Sequence, residues 1–333
     1  MLLLQAFVHA KSIKLDDIVV TASKTEKPLK EDTSNTTVIS KDDIQKYHPR
    51  DIMDLLQHVP GMTMNNMANG SYYIGFRGTE PSPKGTMIMI DGIEMNTAAN
   101  YILSQNIPVS NIDRIEVIKN PSSALYGPAG VGGVINIITQ KPSKPFESQI
   151  KLSFGSFLRK ESVINCKGLM DNNFSYGLSV VMNDTKGFRD ESNTNYQIIS
   201  PRFGYETEKF DFEFISSIKP SKGYQPGGLP LDQYKENPKR ATSPNSVGKG
   251  YATTWGVNMG FVINDNSRLN LKSSYRTDNW NAEMDGNYLE GDDQRHLTSE
   301  ANYQLSLTKG IIKNTLLAGI EYRIYHSIYH IHP

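Results

Sequence analysis

From about residue 147 the chain alternates, one parity apolar and the other polar, in a series of extended segments. Phe210, Phe212 and Phe214 alternate with Asp211 and Glu213, and Trp255, Val257, Met259, Phe261 and Ile263 with Gly256, Asn258 and Gly260. Leu297, Ala301, Tyr303, Leu305 and Leu307 alternate in the same way with Thr298, Glu300, Asn302, Gln304 and Ser306. A period of two sends successive side chains to opposite faces of a strand, so each segment has one apolar and one wet face. The pattern predicts nine strands, at 147–156, 160–169, 173–183, 194–206, 210–219, 251–263, 267–280, 295–309 and 311–325. Several exceed the usual length of a soluble strand, and roughly ten tilted residues cross a bilayer.

The connections sharpen this reading. Met170–Asn172, Thr207–Lys209, Asn264–Asn266 and Gly310 read as tight turns, whereas Asp184–Asn193, Pro220–Gly250 and Asn281–Gln294 read as long polar loops. Past a short first hairpin at Phe157–Arg159, long and short junctions alternate, which puts every long loop on one side of the sheet. That asymmetry marks an outer-membrane barrel, with short periplasmic turns and long outer loops. A soluble antiparallel sandwich, the competing architecture, requires neither uniformly long strands nor one-sided loops.

Composition removes other classes. The 35 basic and 35 acidic residues cancel, without the basic excess of a nucleic-acid binder. The single cysteine, Cys166, excludes an internal disulfide framework and zinc sites built on paired cysteines. A hydrophobic content of 38% and a mean hydropathy of −0.46, without an apolar run of 18 residues, exclude a helical membrane protein but not a barrel.

The first part of the chain is organised differently. Residues 1–10, MLLLQAFVHA, read as the remnant of a signal peptide without a basic start. Residues 11–34 are polar around one island, Ile18-Val19-Val20, and read as a flexible, extended tether. Residues 35–141 show short mixed elements, an α+β pattern. In Asp51–Val59, Ile52, Leu55, Leu56 and Val59 form a helical face ended by Pro60-Gly61, and strands are predicted at Tyr72–Arg77, Met87–Ile90, Ile112–Ile118 and Val134–Thr139. Gly127, Gly130, Gly132 and Gly133 satisfy neither common phosphate-loop spacing, and a turn packed closely against the barrel wall fits them better.

At Asn111–Lys141, NIDRIEVIKNPSSALYGPAGVGGVINIITQK, with Phe76-Arg77-Gly78 and Ile90-Asp91-Gly92 before it, the chain resembles the TonB-dependent outer-membrane receptors. The resemblance implies an α+β plug domain at 35–141, followed from 147 to 333 by antiparallel transmembrane β-barrel strands. These nine are a partial barrel against the 22 strands of plugged transporters. The chain therefore reads as the first half of a receptor, whether a truncated frame, a piece of a split gene or a partial sequence.

Asp17, Ile18, Val19, Val20, Thr21 and Ala22 look like the TonB box, the segment pulled by TonB and its inner-membrane motor complex. Such a segment adds a strand to a partner sheet and so has to be β-prone and free of proline. The resemblance further implies a charge lock in which Arg77 and Lys119 of the plug face glutamates of the wall, although lysine cannot make arginine's bidentate fork. Ligand recognition falls to outward plug loops, here Met62–Ser71, Thr79–Gly85 and Asn96–Asn106, with Glu80, Lys84, Tyr101 and Gln105 as the side chains to test.

The implied function is TonB-dependent uptake of a scarce metal chelate across the bacterial outer membrane, a ferric siderophore first. Haem, cobalamin or another chelate, or a non-functional fragment, are the alternatives. The implied partners are TonB, the chelate, outer-membrane lipid and the outer-membrane assembly machinery, with no nucleic acid. No cofactor, metal site or catalytic group is expected: His48 and His58 have no nucleophile and carboxylate grouped with them, and His326, His330 and His332 are only a hint of metal affinity. A signalling receptor of this family carries a further folded domain before its box, for which the residues before Asp17 leave no room.

Overall fold

The computed structural model describes residues 18–19, 21, 24, 27–28, 34–66, 71–76, 86–96, 102–103, 108–284, 288–309 and 312–332. The predicted tether is the first correction. β1 (Ile18–Val19) pairs antiparallel with β2 (Lys27–Pro28), and both Val19 and Thr21 are buried. Thr21 is buried among polar partners supplied from far along the chain, which composition alone does not reveal.

The plug begins at β3 (Thr36–Ile39). Ser40 then caps α1 (Lys41–Tyr47) with a reciprocal box: its hydroxyl accepts from the Asp43 amide at 3.2 Å and the Asp43 carboxylate accepts from the Ser40 amide at 3.0 Å. Asp51 caps α2 (Ile52–Leu56), shorter than the predicted Asp51–Val59 helix, and Ile52, Met53, Leu55 and Leu56 are all buried. β4 (Met62–Asn66) pairs with β5 (Ser71–Phe76), so the first half of the expected Met62–Ser71 loop is a strand.

β6 (Thr86–Ile90) and β7 (Ile93–Glu94) flank a turn at Asp91-Gly92, where both residues have positive φ, and β8 (Ile102–Leu103) adds to β5. β9 (Ile112–Ile118), α3 (Ser123–Tyr126) and β10 (Gly133–Thr139) complete the plug. Its main sheet runs β3-β9-β10-β6-β7, with β10 and β6 parallel and both almost wholly buried. Gly133 is needed inside the plug rather than at the wall: at φ +143° a Cβ there would lie 2.5 Å from the Ile118 carbonyl oxygen.

Nine strands follow as one antiparallel sheet in sequence order: β11 (Glu147–Gly155), β12 (Arg159–Leu169), β13 (Phe174–Thr185), β14 (Thr194–Glu206), β15 (Phe210–Tyr224), β16 (Val247–Asn264), β17 (Ser267–Met284), β18 (Tyr288–Lys309) and β19 (Ile312–His332). The later strands outrun their predicted ends. The expected long loop at Asn281–Gln294 is mostly strand, with β17 and β18 paired as far as Met284 and Tyr288, and Gly310 lies outside the described residues. Between β15 and β16 a long loop does form and carries α4 (Leu231–Glu236).

Register places the two parities on two faces. The outward row joins Phe203, Phe214 and Trp255 in consecutive ring contacts of 6.2 and 6.1 Å, and Phe210 with Phe261 at 5.1 Å. The inward row carries Arg202, Glu213, Asn258, Lys272 and Glu300 and faces the plug. Gly256 on this face comes so close to Ile93 of the plug that a Cβ would collide with its Cδ1.

Candidate functional site: where the plug meets the barrel wall

The chemistry of the molecule is concentrated at two contacts between plug and wall. In the first, the N-terminal segment around Thr21 is seated against the plug. Glu116, in the middle of β9 and fully buried, accepts the Thr21 amide at 2.8 Å and the Thr21 hydroxyl at 2.6 Å on one oxygen. Its other oxygen accepts from the Arg114 guanidinium Nε at 3.0 Å.

Tyr126 donates its hydroxyl to the Thr21 carbonyl at 2.6 Å, and the Asn136 amide donates to the Thr21 hydroxyl oxygen at 3.1 Å. Burial pushes the Tyr126 phenol far above its usual range, so it remains a donor. Lys24 reaches across to Glu300 of β18 and lies 5.0 Å from the centre of the Tyr126 ring. This segment is thus tied both to the plug and to the wall.

The second contact is centred on Arg202 of β14. Its guanidinium donates to the plug's Asp91 carboxylate at 2.9 Å, to the Thr139 hydroxyl and to Glu213 of β15, at 2.9 Å through Nε. Asp91 is held for this by the Thr139 amide and hydroxyl, at 2.9 and 2.8 Å. Around it the Asn165 amide donates to Ser110 at 2.9 Å, the Lys167 ammonium to Gln140 at 2.9 Å, and the Asn258 amide to the Asp91 carbonyl at 3.3 Å.

Higher in the lumen, Arg276 donates to the Met95 carbonyl, and Arg323 lies 3.6 Å from Glu94 and donates to the Tyr126 carbonyl at 3.1 Å. Burial raises the Glu94 carboxyl above its ordinary value against the pull of Arg323. Gly92 meets Lys272 of β17 so closely that a Cβ would collide with the ammonium, and its φ of +80° favours glycine independently.

Of the residues predicted for sites, Ile18, Val19 and Thr21 lie in the seated segment, while Asp17, Val20, Ala22, Arg77, Glu80, Lys84, Tyr101 and Gln105 lie outside the described residues. Lys119 donates its backbone amide to Asn35 at 3.2 Å, and no ion pair with a wall carboxylate is found for it among the described residues. Wall arginines also pair with the plug carboxylates Asp91 and Glu94, while Lys141 and Lys24 pair with the wall glutamates Glu206 and Glu300. His48 is an exposed left-handed helix cap, and exposed His58 stacks on Tyr47 at 4.2 Å. Sequence reading passed over Glu116, although a carboxylate between Ile115 and Val117 in a buried strand was a visible sign of a buried partner.

Residues 28–134 match the family model described as "TonB-dependent Receptor Plug Domain". The chain carries the plug domain of a TonB-dependent receptor. It is 33% identical over 222 residues to the vitamin B12 transporter BtuB of Vibrio vulnificus (strain CMCP6), covering 64% of this chain and 36% of that protein. The pyoverdine outer membrane receptor FpvA of Pseudomonas aeruginosa PAO1 shares the fold at a TM-score of 0.79 and 15% identity, over 94% of this chain and 49% of FpvA. BauA, the ferric preacinetobactin receptor of Acinetobacter baumannii, shares it at 0.78 and 14%, over 95% of this chain and 50% of BauA. The chain therefore spans about a third of that curated relative and half of the solved receptors, and its nine-stranded sheet has the fold of part of a TonB-dependent receptor barrel.

Proposed function

We propose that this chain forms the plug and nine wall strands of a receptor in the bacterial outer membrane that takes up a scarce metal chelate, driven by TonB. The observation that carries the reading is the seated box segment: Thr21 is held from below the plug by polar bonds to Glu116 and Tyr126, which a pulled strand can exchange for the ladder of a partner sheet. The outward row of aromatic and aliphatic side chains supports contact with lipid, and assembly there calls on the outer-membrane machinery. The receptor moves its ligand without chemical change, so it acts as a transporter rather than an enzyme.

A ferric siderophore is the first reading of the ligand, and the siderophore receptors that share the fold support it. Cobalamin is the second, favoured by the sequence match to a vitamin B12 transporter. Growth of a receptor-deficient strain producing the complete receptor, on ferric siderophore as sole iron source or on cobalamin as sole corrinoid, separates the two. In the same strain Val19→Pro should abolish uptake and leave ligand binding intact, because proline removes a ladder donor without touching the outer face. Equal loss of binding and uptake would remove the box from the mechanism.

A further inference from the structure

A cavity of about 580 Å³ separates the plug from the inner face of β12 to β16. It exists because the wall is stripped of bulk there: Ser175, Gly177 and Ser179 on β13 face inward beside Ser200 and Gly204 on β14, with no side chain long enough to reach the plug. The cavity runs lengthwise. It is lined at one end by Met95 and Thr254, deep in the lumen, and at the other by Pro142, Asn173 and Glu206, beside the short turns that face the periplasm.

What crosses this gap is polar. Arg202 lines the cavity and bridges from the wall to Asp91 and Thr139 of the plug, and Lys141 and Glu206 pair at 3.0 Å at the periplasmic end, both largely exposed. An exposed pair of that kind holds weakly. Asn258, between Asp91 and Glu213 on the lining, keeps its side-chain oxygen buried with no partner among the described residues, an acceptor available to a passing polar group.

A second cavity, of about 510 Å³, lies against β17 to β19, but it is obstructed. Thr21 and Lys24 of the seated segment line it, and the Lys24–Glu300 and Arg323–Glu94 ion pairs cross it.

We propose that the cavity against β12 to β16 is the resting part of the route by which the ligand leaves the lumen for the periplasm, and that Arg202 is the bar across it. The proposal rests on the receptor reading. Opening the route takes release of the Arg202 guanidinium from Asp91 and Thr139, together with the single bonds that Asn165, Lys167 and Asn258 make to the plug, after which Glu213 still holds Arg202 against the wall. Polar ligand groups then meet serine hydroxyls and the Asn258 amide along a lining that also carries Ile90, Met95, Leu169 and Ile215.

The test uses the complete receptor. In planar bilayers and in cells lacking TonB, Arg202→Ala should give a several-fold rise in conductance and in entry of a polar antibiotic too large for porins. Arg202→Lys should leak less, and Arg323→Ala, which cuts the Arg323–Glu94 bridge of the other cavity, should stay near the parent. Equal leakage from Arg323→Ala, or a ligand-binding Arg202→Ala as tight as the parent, overturns the proposal.

A second arm decides the matter if Arg202→Ala does not reach the membrane. With Cys166→Ser as background, Ser200→Cys should react faster with a periplasmic maleimide during energised uptake than Thr298→Cys of the second cavity, and the reverse order overturns the route. TonB-dependent uptake by the parent is scored separately, so failure of the receptor reading and failure of the route give different results.

Discussion

Glu116 is the residue on which the lower half of the plug turns. It is a buried carboxylate with both oxygens engaged, one by two donors from Thr21 and the other by Arg114, which is how a buried charge is made tolerable. Glutamine keeps its size but has to present an amide N–H₂ to one of two sets of donors. Glu116→Gln should therefore lose hydrogen bonds to a charged acceptor worth about 1.5–3 kcal/mol, with the loss concentrated on the seated segment. Hydrogen exchange reads this at one amide: exchange at Thr21 should quicken by roughly ten- to a hundredfold while β10 stays protected. Unchanged protection at Thr21 would mean that Tyr126 and β2 hold the segment without the carboxylate. The residue was visible in sequence as a misfit in an apolar strand, but its partner lies 95 positions away, and no periodicity joins the two.

For the elements, legibility followed the solvent. β9 spans Ile112–Ile118 as predicted, and β14 spans Thr194–Glu206 as predicted, because each has a single boundary condition along its length: plug core for one, lipid and lumen for the other. The pattern fails where the surroundings change. β17 and β18 continue to Met284 and Tyr288 through a stretch rich in Asn, Asp and Gly, because the backbone hydrogen bonds of an antiparallel ladder form without an apolar face. The capping box of α1 could have been read from Ser40 and Asp43, whereas the seating of Thr21 could not, since it depends on Glu116 of β9 and Asn136 of β10.

The two faces make opposite predictions for one substitution. Phe214→Arg places a charge in the outward aromatic row and should cost about 2–4 kcal/mol if that row sits near the bilayer midplane, whereas Thr298→Arg on the lumen side should cost under about 1 kcal/mol. Urea midpoints of the complete receptor in liposomes check the difference. Equal costs would mean that the row from Phe203 to Trp255 does not face lipid.

For the whole molecule, the order of the plug sheet decides what a pull on the N-terminal segment reaches first. Force applied ahead of Ile18 acts on β1 and β2, then on the bonds of Thr21 and Lys24, and next on β3, which is four residues long and an edge strand paired only with β9. β9, β10 and β6 lie behind it, each with two neighbours, and carry Ile88, Ile90, Ile112, Ile115, Val117, Ile135 and Ile137 of the apolar core. Losing β3 therefore costs one short ladder, whereas losing β9 exposes Ile115, Val117 and Ile135 together. If uptake needs β3 to peel away so that the plug can shift off Arg202, a covalent tie between β3 and β9 should stop it. Thr37 and Val117 are directly opposed, so cysteines at both positions can form that tie. The oxidised double variant should bind ligand and recruit TonB but transport nothing, and reduction should restore uptake to the level of the Val117→Cys single variant. Transport by the oxidised form would mean that the plug moves as one body, with the wall contacts of Arg202 and Arg323 giving way instead of the β3 edge.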